Sequence, residues 1–366
     1  KFYKTRDDRQ MKRRDFFKYF STAAVLSALP SLSKAKKPEF NWKMVTTWPK
    51  NFPGLGTGAQ FLADKIQELS GGRIKVTVYG AGELVPAFEI FDAVSNGVAE
   101  LGHGSAYYWK GKNDTFQFFS TVPFGMTSSE MNAWLYKGGG MEFWQKAYSP
   151  FNLIPMAAGN SGVQMGGWFN KEINSLEDLK GLKMRIPGLG GEVLKRAGGT
   201  PVNLPGGELF TALKTGTIDA TEWVGPYNDL AFGLHKAAKY YYYPGWHEPG
   251  TTIECFMNAN KFSELPEDLQ KIVIGAAKIA NMDMLCEFIS RNNDALEILK
   301  KKHKVDIRQY PDEVLEELYN ISKIVVKELS LKDDFAMQVY ESYSSFQKKT
   351  TNWNEISIKP YLNILE

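Results

Sequence analysis

Residues 42–94 read WKMVTTWPKNFPGLGTGAQFLADKIQELSGGRIKVTVYGAGELVPAFEIFDAV. The pattern predicts a strand at 42–47, a helix at 58–69 whose apolar side chains share one face, a second strand at 74–78 and a second helix at 86–94. Alternating strands and helices are typical of α/β domains with a largely parallel sheet. The sequence therefore predicts an α/β fold.

A short internal repeat suggests that this unit occurs twice. Residues 91–100 read FDAVSNGVAE and residues 210–219 read FTALKTGTID, which share the pattern F-x-A-[V/L]-x-x-G-x-[A/I]-[E/D]. Each copy predicts a helix that ends at a glycine, Gly97 or Gly216, followed by a short strand. Chance similarity is the alternative for so short a match. A true repeat implies two related lobes with a hinge and a binding site between them.

Chain length also favours two lobes. A chain of 366 residues exceeds the roughly 250–300 residues at which single cores stop growing. We expect lobe I to comprise residues 37–160 with part of the C-terminal region, and residues 161–250 to form the core of lobe II. Residues 251–366 are expected to form a mixed crossover and mainly helical region. Apolar residues at helical spacing across 314–346 predict a long C-terminal helix, which straps the two lobes or packs on a partner subunit.

The N-terminal segment contains the basic, apolar and small-residue regions of an export signal in their usual order. Residues 12–18 read KRRDFFK, and a short apolar stretch, a proline and small residues follow. The paired arginines resemble a twin-arginine signal, whereas a basic amphipathic helix lying on a membrane is the alternative. We expect residues 1–36 to be a signal peptide cleaved after Ala35, which directs the chain to the periplasm. A start at Met11 would make residues 1–10 an upstream artefact.

Charge and cysteine content exclude several classes of protein. The net charge is +3, but residues 1–36 hold ten Lys and Arg against three Asp and Glu, and the remainder has 34 against 38, a net charge of −4. An acidic body without a basic stripe argues against nucleic-acid binding. No apolar run reaches the ~20 residues of a membrane span, so we expect no membrane insertion. Cys255 and Cys286 lie too far apart for a CxxC motif.

The candidate site residues follow predicted strands. Arg185 stands at the end of an apolar strand, where a lone guanidinium is either a buried ion-pair member or a bidentate receptor for a carboxylate. Glu222 and Trp223 follow the next strand, and Glu248 lies in a Pro/Gly-framed loop after an aromatic run. Loops at the carboxyl ends of parallel strands bind ligands in open α/β sheets. A surface or salt-bridged role for the two acids is the alternative.

Gln164, predicted in a glycine-rich strand, adds a neutral oxygen donor. An arginine, two acids and an amide could coordinate a hard cation that is bridged to an anionic ligand. The charges of one arginine and one bound monocarboxylate cancel, which leaves the negative charges of two glutamates. A divalent cation neutralises them, whereas a monovalent one leaves a charge of about −1 in a low-dielectric cleft. This count favours Ca²⁺ slightly over Na⁺, and both remain open.

Enzyme hypotheses find less support. Glu222 and Glu248 could act as the acid–base pair of a hydrolase, which requires a definite carboxyl spacing. The sequence contains no G-x-S-x-G, HExxH or Walker motif. His103 and His247 lie near the candidate loops, where structural roles are more common. A binding protein or a periplasmic sensor subunit fits these residues better than an enzyme.

Five longer motifs stand out along the chain: WPKNFPG at 48–54, GAGELVP at 80–86, MRIPG at 184–188, ALKTGTIDA at 212–220 and ATEW at 220–223. Together they resemble the solute-binding component of TRAP (tripartite ATP-independent periplasmic) transporters. Three further motifs are GHGSAYYWKG at 102–111, NSGVQMGGW at 160–168 and YYYYPGWHEPG at 240–250. These resemble the subgroup that binds 2-oxo acids such as pyruvate, or lactate, with a metal ion.

The resemblance assigns roles to single residues. It implies that Arg185 pairs with the ligand carboxylate, and that the cation, Na⁺ or Ca²⁺, is surrounded by Gln164, Glu222, the Trp223 carbonyl and Glu248. Gln164 and Glu222 would thereby also contact the ligand. Asn160, Tyr107 and Tyr108 are implied as further cleft contacts. The resemblance also implies a homodimer that exchanges the long C-terminal helix, and delivery of the ligand to a membrane permease without ATP or catalysis.

Overall fold

The computed structural model describes residues 38–365. The predicted signal peptide at 1–36, its cleavage after Ala35 and the alternative start lie outside the described residues. Among the helices of 38–365, none combines the length and the hydrophobicity that a membrane span requires.

Strands and helices alternate along most of the described chain. The strands are β1 Phe40–Thr46, β2 Ile74–Tyr79, β3 Leu101–Gly104, β4 Leu153–Asn160, β5 Gly167–Phe169, β6 Lys183–Arg185, β7 Thr200–Val202, β8 Ala220–Thr221, β9 Tyr240–Tyr243, β10 Thr252–Asn258 and β11 Asp306–Gln309. The helices are α1 Leu55–Leu69, α2 Ile90–Ser95, α3 Ser128–Lys137, α4 Gly140–Tyr148, α5 Gly188–Arg196, α6 Leu209–Lys214, α7 Pro226–Phe232, α8 Ala259–Ser263, α9 Glu267–Lys301, α10 Asp312–Ser330, α11 Asp334–Asn354 and α12 Ile358–Ile364. The predicted α/β class is confirmed.

Two mixed sheets define the two lobes. Lobe I is built on the sheet β2-β1-β3-β10-β4, and lobe II on the sheet β11-β9-β5-β8-β6-β7. The expectation of largely parallel sheets was wrong for β10, which is antiparallel to β3 and β4, and for β5, which is antiparallel to β8 and β9. The chain leaves lobe I at the end of β4 and returns at the start of β10, where Asn160 and Thr252 are paired. This return path makes the two strands antiparallel neighbours.

The internal repeat corresponds to the same element in both lobes. In lobe I, α2 is followed by Gly97 with φ 76° and then by β3. In lobe II, α6 is followed by Gly216 with φ 72° and then by β8. A positive φ at the end of a helix favours glycine, because other residues pay a steric cost there. The predicted helix, glycine and strand are confirmed in both copies.

Two crossover segments, 161–166 and 244–251, connect the lobes and run side by side. Ser161 N donates to Thr251 O at 3.0 Å, and Gln164 N donates to Glu248 O at 3.2 Å. The prediction of a strand around Val163 and Gln164 was wrong, since β4 ends at Asn160 and β5 begins at Gly167. The paired segments form the hinge of the cleft.

The C-terminal region wraps around both lobes. The 35-residue helix α9 packs on α1 and β4 of lobe I and on α7 of lobe II. The strand β11 interrupts the predicted helical run and pairs with β9. α10 packs on α5 of lobe II, whereas α11 packs on α3 and α4 of lobe I.

The apolar stripe predicted across 314–346 is divided between α10 and the long C-terminal helix α11. The helices are separated at Asp333, whose side chain accepts from Ala336 N at 2.7 Å and caps α11. Val314, Leu318 and Val339 are buried within the same chain. The stripe therefore straps the two lobes together.

Candidate functional site

An ion pair lies where two parallel strands of lobe II end. Arg185 is the last residue of β6, and Glu222 directly follows β8, its parallel neighbour. Arg185 is 1% exposed and Glu222 is 0% exposed, and Arg185 Nη1 donates to Glu222 Oε1. A buried pair of opposite charges is retained because each charge compensates the desolvation of the other.

The other nitrogens of Arg185 fix the plane of its guanidinium. Nε donates to Leu204 O at 3.1 Å, and Nη2 donates to the Tyr108 hydroxyl of lobe I at 3.2 Å. The Trp223 ring lies 5.1 Å from the guanidinium carbon. Burial by itself lowers the pKa of Arg185, but Glu222 and the neighbouring tyrosines outweigh it and raise the pKa. Three of its five N–H groups donate within the described residues, which leaves two for a ligand.

A second polar cluster links the two hinge segments. Glu248 is 2% exposed, and its Oε2 accepts from Gln164 Nε2 at 2.8 Å and from Thr251 Oγ1 at 2.5 Å. Gln164 Nε2 also donates to Ser161 Oγ at 3.1 Å. The carboxylate therefore holds segments 161–166 and 244–251 together at the hinge.

The ion pair and the hinge cluster meet in the centre of the cleft. One ligand atom each from Glu222, His247 and Glu248 lies within 4.8 Å of the others, and all three residues are buried. His247 Nε2 lies 3.5 Å from Glu222 Oε2. Burial first, and then repulsion by Glu222, raise the pKa of Glu248 to about 8. The site thus holds two carboxylates around one guanidinium, and its charge is not balanced when both are ionised.

Two buried oxygens in this centre lack a hydrogen-bond partner among residues 38–365. They are Gln164 Oε1 and Glu222 Oε2. A buried acceptor without a partner costs roughly 1–3 kcal/mol, so such atoms are uncommon unless a ligand, an ion or water satisfies them. Carboxylate, amide and backbone oxygens are the ligands that hard cations prefer. The donor set of Gln164, Glu222 and Glu248 fits such a cation.

A small cavity adjoins these groups between the lobes. It is lined mainly by aromatic and aliphatic side chains with a few hydroxyl and amide groups. The lining residues are Trp48, Leu55, Tyr107, Tyr108, Ser161, Gln164, Trp223, Val224, Thr251 and Ile253. An apolar wall with few polar groups is typical of sites for small organic ligands.

Aromatic contacts hold the lobes together beside this cavity. Phe52 of lobe I stacks on Phe232 of lobe II with ring centroids 4.1 Å apart, and Trp48 packs edge-on against Trp223 at 6.0 Å. Trp48 Nε1 donates to His103 Nδ1 at 2.8 Å. Burial lowers the pKa of His103 to about 3, so this imidazole is a neutral acceptor.

The structure brings most of the predicted residues together. Arg185, Glu222, Trp223 and Tyr108 are in contact, Gln164 pairs with Glu248, and Tyr107 lines the cavity.

Asn160 differs from these residues because its hydrogen bonds are made to the hinge backbone. Its Oδ1 accepts from Gly162 N at 2.8 Å, and its Nδ2 donates to Gly250 O at 3.4 Å. The ligand contacts of all these residues remain predictions.

Sequence reasoning missed four polar or aromatic residues of the site. His247 was expected to be structural, and Ser161, Thr251 and Trp48 were not singled out as site residues. Adjacency to Glu248 in one motif was an available signal for His247. The two hydroxyl residues carry little sequence signal, because only the pairing of the crossover segments brings them to Glu248 and Gln164.

Two α/β lobes, joined by paired crossovers around a buried charged cavity, define a two-lobed solute-binding protein. A family model agrees with this class. Residues 44–333 match the model for DctP, the bacterial extracellular solute-binding protein, family 7. The chain belongs to this family, whose members serve transport outside the cytoplasm.

Named relatives and solved structures match over nearly their whole length. A monocarboxylate 2-oxoacid-binding periplasmic protein of Nostoc sp. (strain PCC 7120) is 43% identical over 96% of this chain and 98% of its own. A TRAP periplasmic solute-binding protein of Pseudoalteromonas atlantica T6c, with bound sodium and pyruvate, is 42% identical with a TM-score of 0.86, over 90% of this chain and 99% of that one. One from Colwellia psychrerythraea, with bound calcium and pyruvate, is 44% identical with a TM-score of 0.85 over the same shares.

Proposed function

We propose that the chain captures a small 2-oxo monocarboxylate such as pyruvate, together with Ca²⁺ or Na⁺, and delivers it unchanged to a TRAP membrane permease. The observation that carries this proposal is one buried guanidinium facing two buried carboxylates between the lobes. The similarity to pyruvate-bound relatives supports the same conclusion.

Arg185 is proposed to bind the ligand carboxylate. It keeps its charge in the buried site, and its two remaining N–H groups can form the paired hydrogen bonds that guanidinium groups make with carboxylates. Tyr107 and Tyr108 line the cavity beside it and are proposed as further ligand contacts, as is Asn160. The small cavity volume supports a ligand of few heavy atoms.

Gln164, Glu222, the Trp223 carbonyl and Glu248 are proposed to hold the cation. The unpartnered Gln164 Oε1 and Glu222 Oε2 support this set, because both are oxygen acceptors buried in the site centre. When bound, the cation supplies the positive charge that bridges ligand and carboxylates. With one arginine, both glutamates ionised and one ligand carboxylate, a divalent ion gives a neutral site and Na⁺ leaves about −1. The charge count therefore favours Ca²⁺.

The lobes are proposed to open and close about the two crossovers. Residues 37–160 with part of the C-terminal region would move as lobe I and residues 161–250 as the core of lobe II, while 251–366 form the connecting, mainly helical region. The side-by-side pairing of segments 161–166 and 244–251 supports this arrangement.

A homodimer through the C-terminal region and export to the periplasm by a signal at 1–36 complete the proposal. The dimer is supported by exposed apolar side chains at the end of the described chain, which a second copy would cover. These residues are Trp353, Ile356, Ile358, Tyr361, Leu362, Ile364 and Leu365.

The experiment is a thermal-shift and calorimetry panel of 2-oxo and 2-hydroxy acids with calcium, with sodium, or with a chelator. A ligand at 100 times its Kd stabilises the folded state by about 2.7 kcal/mol. Pyruvate is expected to raise the Tm most with calcium, and proton NMR is expected to recover it unaltered. No response to any acid contradicts the proposal. If lactate raises the Tm more than pyruvate does, the ligand class is 2-hydroxy acids instead of 2-oxo acids. If proton NMR shows that the acid is chemically changed, the Glu222/Glu248 pair is catalytic.

A further inference from the structure

A groove of about 480 Å³ lies outside the closed cavity, between the lobes. The groove and the cavity share Tyr107 and Tyr108 in their linings. Gly188 of lobe II packs tightly on this wall, since a Cβ built there would lie 3.3 Å from Tyr107 Cβ. The two tyrosines therefore separate the groove from the cavity when the lobes are closed.

A lysine from each lobe lines the groove. Lys110 of lobe I and Lys195 of lobe II line it, and both residues are exposed. Neither forms an ion pair within residues 38–365. Glu192 also lines the groove, and its carboxylate accepts from Arg196 Nε at 3.1 Å, while Arg196 also pairs with Glu328. Among the lining residues, two positive charges therefore face one negative charge. The groove is consequently a local positive region on a chain whose charge from residue 37 onward is −4.

We infer that this groove is the path by which the anionic ligand enters the cavity, and that Lys110 and Lys195 accelerate its entry. The inference rests on the proposed function. At physiological ionic strength the Debye length is about 8 Å, so charges near the path act on the ligand while distant charges are screened. Charges beside an entrance raise the association rate of an oppositely charged ligand.

The same geometry predicts which rate constant changes. Once the lobes close, Tyr107 and Tyr108 stand between the lysines and a ligand at Arg185. Dissociation then depends on the contacts inside the cavity and on reopening of the lobes. The lysines should therefore change kon and leave koff nearly unaltered.

The test is stopped-flow tryptophan fluorescence with pyruvate and excess calcium, because Trp48 and Trp223 line the cavity. The double variant Lys110→Glu/Lys195→Glu is compared with Lys137→Glu/Lys278→Glu. The control lysines are exposed and line a different groove on lobe I. Both variants change the net charge equally, so general repulsion of the anion is matched.

The groove variant is expected to lower kon roughly tenfold at low ionic strength, with koff unchanged, and the loss should shrink in about 0.5 M salt. The control variant should lower kon much less. An equal fall in both variants, or a change confined to koff, overturns the entry path while leaving the binding function intact. If the unmodified protein gives no transient with pyruvate, the proposed function and this inference fail together.

Discussion

Replacing Arg185 tests the electrostatic core of the site. Arg185→Met retains most of the side-chain volume but removes the charge that compensates Glu222, a residue that is 0% exposed. Glu222 would then be buried near Glu248 without the guanidinium that offsets its charge. Removing one partner of a buried ion pair typically costs about 3–5 kcal/mol. We expect Arg185→Met to lower the free energy of unfolding by this amount.

A second variant separates the lost charge from the lost side chain. In Arg185→Met/Glu222→Gln both charges are removed, and the introduced glutamine has almost the shape of the original glutamate. Replacing both members of a buried pair by apolar residues of similar volume is often close to neutral, and a neutral glutamine costs far less to bury than an unpaired carboxylate. The double variant should therefore regain most of the lost stability. Both variants should still lose detectable pyruvate binding, because neither retains a guanidinium to receive the carboxylate.

Urea unfolding followed by tryptophan fluorescence measures stability, and calorimetry with pyruvate and calcium measures binding. Arg73→Met is the control, because Arg73 pairs with Asp268 at 2.6 Å in a partly exposed position. Such surface pairs contribute about 0–1 kcal/mol. Three results would each contradict this role of Arg185: Arg185→Met is as stable as the unmodified protein, the double variant gains nothing over it, or either variant binds pyruvate normally.

Three further predictions concern a buried acid, the aromatic contact between the lobes and the packing of Gly188. Burial raises the pKa of Glu254 to about 8, whereas a glutamate in an unfolded chain has a pKa near 4. Between these two pH values the folded state binds the proton more tightly than the unfolded state does. The free energy of unfolding therefore falls as the pH rises from about 4 to about 8. Glu254→Gln should remove that fall, so urea unfolding should show this variant gaining stability relative to the unmodified protein between pH 5 and pH 8. Glu142→Gln, at an exposed position, is the control. If Glu254→Gln leaves the pH profile of stability unchanged, the raised pKa of Glu254 is contradicted. Phe52→Ala removes a stack between rings of the two lobes whose centroids lie 4.1 Å apart. We expect calorimetry to show a roughly tenfold lower affinity for pyruvate, about 1.4 kcal/mol. Normal affinity would refute a role of this stack in closing the lobes. Gly188→Val places a branched side chain at φ +62° against the Tyr107 wall, so small-angle scattering with pyruvate should show a more open molecule, and full compaction would disprove the tight contact.

The sequence by itself determined the local elements and the identity of the charged residues. Helix endings at Gly97 and Gly216 follow from backbone preferences that act within a few residues, and both have positive φ in the structure. Arg185, Glu222 and Glu248 stood out because each is a charged residue in an otherwise apolar or Pro/Gly-framed segment. Their closeness could be expected from the rule that parallel strands present their carboxyl ends at one edge.

Tertiary structure alone decided the strand directions, the path of the hinge segments and the partners of each site residue. β10 and β5 are antiparallel to their neighbours because the chain crosses between the lobes at 161–166 and 244–251, which no local pattern encodes. Gln164 reaches Glu248 across 84 residues, and Arg185 reaches Tyr108 across 77. The pKa of Glu248 likewise arises from burial and from its distance to Glu222. Sequence patterns act over one turn or one strand, whereas burial and charge balance depend on which distant segments the fold packs together.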